Sequence, residues 1–344
     1  AQDWTAVSPS PITRYEGQGA AVNGKLYALG GYTTCCPPAV TPDSHVYDPA
    51  ADSWAAIADL PSPVTHAGTA VVDDEIVIAG GFVGDSPGAA TAEVWRYDTV
   101  TDTWTRGIDL PDARGAGALV RIGTSLHFFG GAGPGGGALM AQDYGDHWVL
   151  ADGATEWVAL APLANPRNHL AGVALAGRIY AIGGQHLDDE TSGNHSTVEI
   201  YDPASATWSA GPELPQPLGH IAASTFVRDG RIVVIGGKTQ NKTLVDDAIQ
   251  LDPLAATWSA LPEIPIAVQS PLAESFGDRI VVATGGGGGD IFADTFVLDG
   301  PGAGPPGSVG SALKVSPDDG SVYDVDPETT APELSVAVDF PTAG

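Results

Sequence analysis

Residues 75–81 read Glu75-Ile76-Val77-Ile78-Ala79-Gly80-Gly81, a short apolar run that ends in paired glycines. The ending recurs. Leu26-Tyr27-Ala28-Leu29 runs into Gly30-Gly31, Ile179-Tyr180-Ala181-Ile182 into Gly183-Gly184, and Ile232-Val233-Val234-Ile235 into Gly236-Gly237. Further pairs stand at 130–131 and 285–286, so the steps between pairs are 50, 50, 53, 53 and 49 residues. Tryptophan keeps the same beat at Trp4, Trp54, Trp104, Trp157, Trp208 and Trp258. A fixed period near 50 residues marks one small unit copied around a ring or along a rod.

Each unit reads the same way on either side of its glycines. A Pro-rich turn such as Leu60-Pro61 comes first, then a strand of small apolar residues such as Gly68-Thr69-Ala70-Val71-Val72. A tight turn (Asn23-Gly24, Asp73-Asp74, Ala176-Gly177, Asp229-Gly230) leads into the strand that meets the glycines. A loop of variable length follows, then a third strand ending in a turn such as Tyr47-Asp48-Pro49 or Tyr201-Asp202-Pro203, and the tryptophan opens a fourth. Turn signals every 8 to 12 residues predict one four-stranded antiparallel sheet per unit. Asp-Pro presets a turn because Asp bonds the backbone two residues on and Pro fixes φ. Paired glycines at a strand end admit positive φ and close backbone approach. Each Trp is expected to bury roughly 150–250 Å² between adjacent sheets. The chain has 45 Gly and 28 Pro, which leaves little room for long helices.

These signatures resemble the kelch repeat family of β-propellers: paired glycines after a hydrophobic strand, a Tyr-Asp-Pro turn, and a Trp six residues past the Asp. The resemblance covers residues 1 to about 299 and implies an all-β, six-bladed kelch-type β-propeller. The third unit departs from it, since Leu150-Ala151-Asp152-Gly153 lacks the Tyr and Pro and Trp157 follows its Asp by five. After Thr295-Phe296-Val297-Leu298-Asp299 there is no Trp strand, whereas Asp3-Trp4-Thr5-Ala6-Val7 is an unclaimed one. The N-terminal strand is therefore expected to complete the last blade, which removes exposed sheet edges. Residues 300–344 fall outside the period. They read as a Gly/Pro-rich linker and tail, with Thr330 to Val338 resembling the opening strand of an immunoglobulin-like module.

The 42 acidic against 14 basic residues leave a formal charge of −28, which disfavours nucleic acid and anionic membranes as partners. No apolar stretch approaches the roughly 18 residues that span a bilayer. The start at Ala1-Gln2-Asp3 reads as the mature end left by signal-peptide cleavage, so a secreted or cell-surface location, extracellular or periplasmic, is expected.

A four-stranded blade alternates direction, so the loop entering its first strand and the loop after its second lie on one face of the ring. Sixteen residues before each glycine pair stand Arg14, Val64, Arg114, Arg167, His220 and Gln269. Two residues later stand Glu16, His66, Ala116, His169, Ala222 and Pro271. These columns predict a mouth lined by Arg, His, Glu and Gln, with Tyr15 beside it, fit to bind a carbohydrate or small anionic ligand. The resemblance points the same way, since kelch proteins of similar pattern grip acidic ligands with this Arg; the alternative is an Arg that satisfies backbone carbonyls. The variable loops after the glycines belong to the same face, and His186, Asp188, Asp189 and Glu190 in the fourth are candidates for calcium or a sugar.

Cys35 and Cys36 are the only cysteines, and in an oxidising compartment they are expected to pair with each other. Such a link closes almost no chain and adds negligible stability, so it reads as a rigid apolar plate for a ligand to stack on. Other readings stay open. An enzyme of the sialic-acid-mutarotase type, which the resemblance includes, would use Glu16 with His66 or His169 beside Arg14. The copper chemistry of galactose oxidase is disfavoured, because both cysteines are adjacent and no Tyr-His dipeptide exists. No metal ligand set is assigned, although His66, His169, His220 and His186 are candidates for zinc or copper. A protein-interaction or adhesion domain, with other extracellular proteins as partners, completes the alternatives.

Overall fold

The computed structural model describes residues 3–86, 88–135, 138–187, 193–287, 289–300, 312–315 and 322–325. The chain divides into two compact units, Ala1–Pro301 and Gly302–Gly344. In the second, Ala312–Val315 pairs antiparallel with Val322–Val325. The expected linker at 301–310 and the immunoglobulin-like strand at 330–338 lie outside the described residues, as do Asp188, Asp189 and Glu190.

In the first unit six sheets of four antiparallel strands carry the repeat. Blade one is Gln18–Val22, Lys25–Leu29, Ser44–Asp48 and Ser53–Ile57. Blade two is Gly68–Val72, Glu75–Ala79, Val94–Asp98 and Thr103–Arg106. The first strands stand side by side around an axis: Gln18–Val22 contacts Gly68–Val72, and the sequence passes through Ala118–Ile122, Ala171–Leu175, Thr225–Arg228 and Leu272–Phe276 back to Gln18–Val22. The second strands lie between neighbouring sheets and are covered on both faces. That is why they read as unbroken apolar runs rather than alternating ones. The core is divided among the blade interfaces. Between blades one and two, for example, Tyr27 and Leu29 pack with Ile76, Ile78 and Tyr97.

The N-terminal strand closes the last blade. Thr5 pairs with Val297 and Ala6 with Phe296, in one sheet with Arg279–Gly287 and Leu272–Phe276. The tryptophans clasp each blade to the one before it. The indole Nε1 of Trp54 donates to Ser8 O, Trp104 to Ala58 O, Trp157 to Ile108 O, Trp208 to Ala161 O and Trp258 to Pro212 O. Trp4 donates to Pro262 O at 3.0 Å and completes the cycle. Trp104→Phe keeps most of the packed ring area and removes one such bond. The expected loss is about 1 kcal/mol in chemical denaturation; no loss would mean the indole N–H has no part in joining blades. The turn aspartates act as expected, with Asp48 Oδ1 accepting from Ala50 N at 2.9 Å and Asp98 Oδ1 from Val100 N at 2.8 Å.

Two units depart from the sequence register. In blades one to five both paired glycines have positive φ, but in blade six the pair in that conformation is Thr284 (59°) and Gly285 (109°), not Gly285-Gly286. In blade five the 3-10 turn Ala222–Ser224 sits between the mouth and the first strand, adding residues before the glycines. At Gly80 (φ 67°) a Cβ would run into the Arg114 carbonyl oxygen, so the close approach requires glycine.

An axial channel of about 290 Å³ runs along the first strands, lined by small residues such as Gly19, Gly68, Gly117 and Gly172 and by Glu274. Enclosure by the channel walls pushes the Glu274 carboxyl up to about 7.

Candidate functional site

The loops after the glycines pair with the segments that enter the first strands: Tyr15 bridges Tyr32, Thr65 pairs with Phe82, Gly115 bridges Ala132, Asn168 bridges Gln185, Gly219 bridges Lys238 and Gln269 bridges Gly286. Both sets therefore occupy one face. These bridges also give the true columns. The second residue of each positive-φ pair donates its N–H to the carbonyl of the next blade's mouth, Gly31 to Val64, Gly81 to Arg114, Gly131 to Arg167, Gly184 to Leu218, Gly237 to Val268 and Gly285 to Arg14. His220 and Gln269 therefore do not belong with the arginines. Gln269 shares the column of Tyr15, and His220 shares that of Glu16.

The arginines turn into the blades rather than toward the axis. Arg14 donates from Nη1 to Gly30 O and Asp43 O, and its Nη2 lies 3.1 Å from His45 Nδ1. Burial lowers its pKa to about 10, with Asp43 opposing. Arg167 is 0% exposed; it donates to Gly183 O at 2.7 Å, Ala181 O at 3.0 Å and Asn165 O at 2.9 Å, and pairs with Glu199. Arg114 pairs with Asp146 and lies 3.6 Å over the Tyr144 ring. The expected Arg-lined mouth is thus corrected. A guanidinium is the side chain that can satisfy several strand-end carbonyls at once inside a β-structure. Glu16 and His66 do meet, but Arg14 is turned away from them into its own blade.

What meets at the axis is the column two residues later. Glu16, His66, Ala116, His169, His220 and Ser270 all have positive φ, between 49° and 59°. Their backbones are linked: His66 N donates to Glu16 O, Ala116 N to His66 O, His169 N to Ala116 O and Ser270 N to His220 O. The small Ala116 and Ser270 stand at the third and sixth places of the ring and leave room for three imidazoles and a carboxylate. These six residues, with Gly17, Leu170, Ala222 and Ala223, line a cavity of about 30 Å³, enough for one small group.

Glu16 is 8% exposed and bridges two imidazoles: His220 Nδ1 lies 2.6 Å from Oε1 and His66 Nε2 lies 3.3 Å from Oε2. Burial pushes this carboxyl upward, but His66 and His220 outweigh it and hold it well below the usual carboxylate range. Burial lowers the His66 pKa against the pull of Glu16. Donor atoms of Glu16, His66 and His169 all lie within 4.8 Å of one another, so these three could hold a metal ion. His186 lies beyond this cluster, its Nδ1 3.0 Å from Asp143 Oδ2.

Several residues of the site carried no signal in the repeat. Thr65 Oγ1 lies 2.7 Å from His66 Nδ1, Asn168 Oδ1 meets His169 Nδ1, and Gln185 Oε1 lies 3.1 Å from His220 Nε2. They fall in the Tyr15 column and in the first residue of a post-glycine loop, positions that only the bridging pattern identifies.

Tyr15 packs 5.3 Å from Tyr32, which stands 6.1 Å from His66. Cys35 and Cys36 are disulfide-bonded in the loop beyond Tyr32, with Cys36 exposed. That loop is tied to its neighbour by Val40 N donating to Asp85 Oδ1 at 2.9 Å.

The Kelch motif family profile matches residues 63–110 and 166–215, which span blades two and four. The chain is similar to human Kelch-like protein 33, 37% identical over 83 residues, covering 24% of this chain and 14% of that protein. It is also similar to Kelch repeat and BTB domain-containing protein 12 of Danio rerio, 33% identical over 106 residues, covering 28% and 17%. An F-box/kelch-repeat protein of Arabidopsis thaliana is 33% identical over 94 residues, covering 26% and 24%. The matches thus span under a quarter of each relative's length. With the motif matched in two blades and the same strand pattern in all six, the chain carries kelch repeats.

Proposed function

We propose that this propeller binds a protein partner that presents basic side chains, across the face carrying the post-glycine loops, in an extracellular setting where the Cys35–Cys36 disulfide persists. The kelch repeats mark the ring as an interaction propeller. The observation that carries the basic partner is the inward turn of Arg14, Arg114 and Arg167. With those guanidinium groups engaged, the face keeps exposed carboxylates such as Asp85 and Asp246 on a chain of net charge −28. Complementary charge then speeds association and selects against anionic partners. The test is binding to an array of basic and acidic peptides at low and high salt, with Asp85→Lys and Asp246→Lys as variants. Retention of basic peptides, weakened by salt and by the variants, is expected. Preference for acidic peptides would overturn the reading.

A second reading, carbohydrate binding, is favoured by the exposed Cys36 of the disulfide in the loop beyond Tyr32 and by the half-buried Tyr15 ring, apolar groups on which a sugar ring can stack. A glycan array with a Tyr15→Ala control decides it.

A further inference from the structure

We propose that Glu16, His66 and His169 bind a divalent transition-metal ion of the zinc class at the propeller axis. The inference is independent of what the loop face binds.

Two imidazoles and one carboxylate with room for a further ligand are a donor set that zinc and similar borderline ions use when a coordination position stays open. Zinc sits about 2.0–2.1 Å from each nitrogen or oxygen, which needs donor separations of about 3.4 Å in a tetrahedron. The three donors already lie within 4.8 Å, so side-chain rotations of about an ångström complete the site.

The hydrogen bonds behind the ring orient the ligands. Asn168 Nδ2 donates to Asp143 Oδ1 and to Leu187 O, so its amide oxygen is the atom that faces His169 Nδ1. An amide oxygen only accepts. His169 therefore carries its proton on Nδ1 and presents the Nε2 lone pair as the ligand atom. His66 Nδ1 meets the Thr65 hydroxyl at 2.7 Å, which can accept in the same way and leave Nε2 toward Glu16. An outer partner on the far ring nitrogen is what metal-bound histidines normally have.

His220 has a different part. Gln185 Nε2 donates to Leu187 O at 3.2 Å, which leaves Gln185 Oε1 to accept from His220 Nε2. Its Nδ1 faces Glu16 Oε1. Both ring nitrogens thus point at acceptors, so His220 positions the carboxylate rather than ligating. The ion has a route as well, because the axial cavity and the 290 Å³ channel share Ala222 and Ala223 in their walls.

The test uses the full chain, purified without chelators and without a histidine tag, dialysed against zinc chloride and analysed by elemental mass spectrometry. About one zinc per chain is expected. Cobalt chloride should give the intense visible absorption of a four-coordinate ion with nitrogen ligands. His169→Gln should abolish stoichiometric binding, and Asn168→Leu should weaken it by about 10- to 100-fold. Zinc well below one per chain, the weak spectrum of six-coordinate cobalt on surface carboxylates, or unchanged affinity in His169→Gln would each overturn the assignment. If His169→Gln fails to fold, the stoichiometry and cobalt spectrum of the unsubstituted chain still decide.

Discussion

Arg167→Met is expected to cost about 3–5 kcal/mol of folding stability, the usual consequence of breaking a buried ion pair from one side. The guanidinium is fully buried and serves three carbonyl oxygens besides Glu199. Methionine fills much of the volume but donates nothing. The carbonyls of Gly183, Ala181 and Asn165 then lose a donor, and Glu199, 5% exposed, keeps its charge without its cation. Ala164 N still donates to Glu199 Oε1 at 2.9 Å, which offsets only part of the loss. The contrast is Arg178→Ala, which breaks an exposed pair with Asp202 and should change stability by no more than about 1 kcal/mol. Denaturant titration of both variants checks the pair of values. If Arg167→Met lost no more than Arg178→Ala, the guanidinium would be free to serve a ligand, and the structural role given to the arginine column would fail.

The second large effect is a loss of stability in mild acid, centred on His127 and His147. His127 Nδ1 lies 2.9 Å from His147 Nε2, in the interface of blades three and four beside Tyr201 and Trp208. His147 Nδ1 faces the Ala161 carbonyl, which only accepts, so its proton is on Nδ1. Its Nε2 must then accept from His127 Nδ1–H, and both rings are neutral. A proton added to His147 Nε2 would set two N–H groups against each other. Burial lowers His127 to about 4, and burial with the neighbouring His127 lowers His147 to about 3. In the unfolded chain both return to about 6.5. Below that value the unfolded state binds more protons than the folded one. The stability contributed by neutral histidines is therefore present above pH 6.5 and lost as pH falls toward 4. The expected loss is on the order of 3 kcal/mol for each histidine by pH 4. The reading is the difference between the parent chain and the double variant His127→Leu, His147→Leu, because a chain of net charge −28 also sheds self-repulsion in acid. Parallel stability-against-pH curves for the two would show that the pair is not neutral and buried as described.

Blade architecture was legible because it rests on local chemistry that every copy repeats. Paired glycines, the Asp-Pro turn and the tryptophan each act within their own blade or on the next one. The unpaired first strand and the missing last one made closure at Thr5 and Ala6 readable by counting. The site was legible in outline only. Aligning on glycines put the mouth residues on the correct face. It misplaced His220 and Gln269, because Ala222–Ser224 lengthens blade five and Thr284 replaces the first glycine of blade six. Neither change alters the apolar pattern on which an alignment depends.

Sequence alone therefore determined that six similar sheets form, which strands they hold and which loops share a face, since periodicity and turn chemistry are properties of neighbouring residues. Only tertiary structure decided where side chains of the mouth segment point. Arg14 and Arg167 stand two residues before Glu16 and His169, yet the first pair is drawn into the blades by carbonyl groups and the second is turned to the axis by positive φ. That choice depends on strand-end oxygens and on residues more than 200 positions apart, as in the contact of His220 with Glu16, and no local pattern carries it.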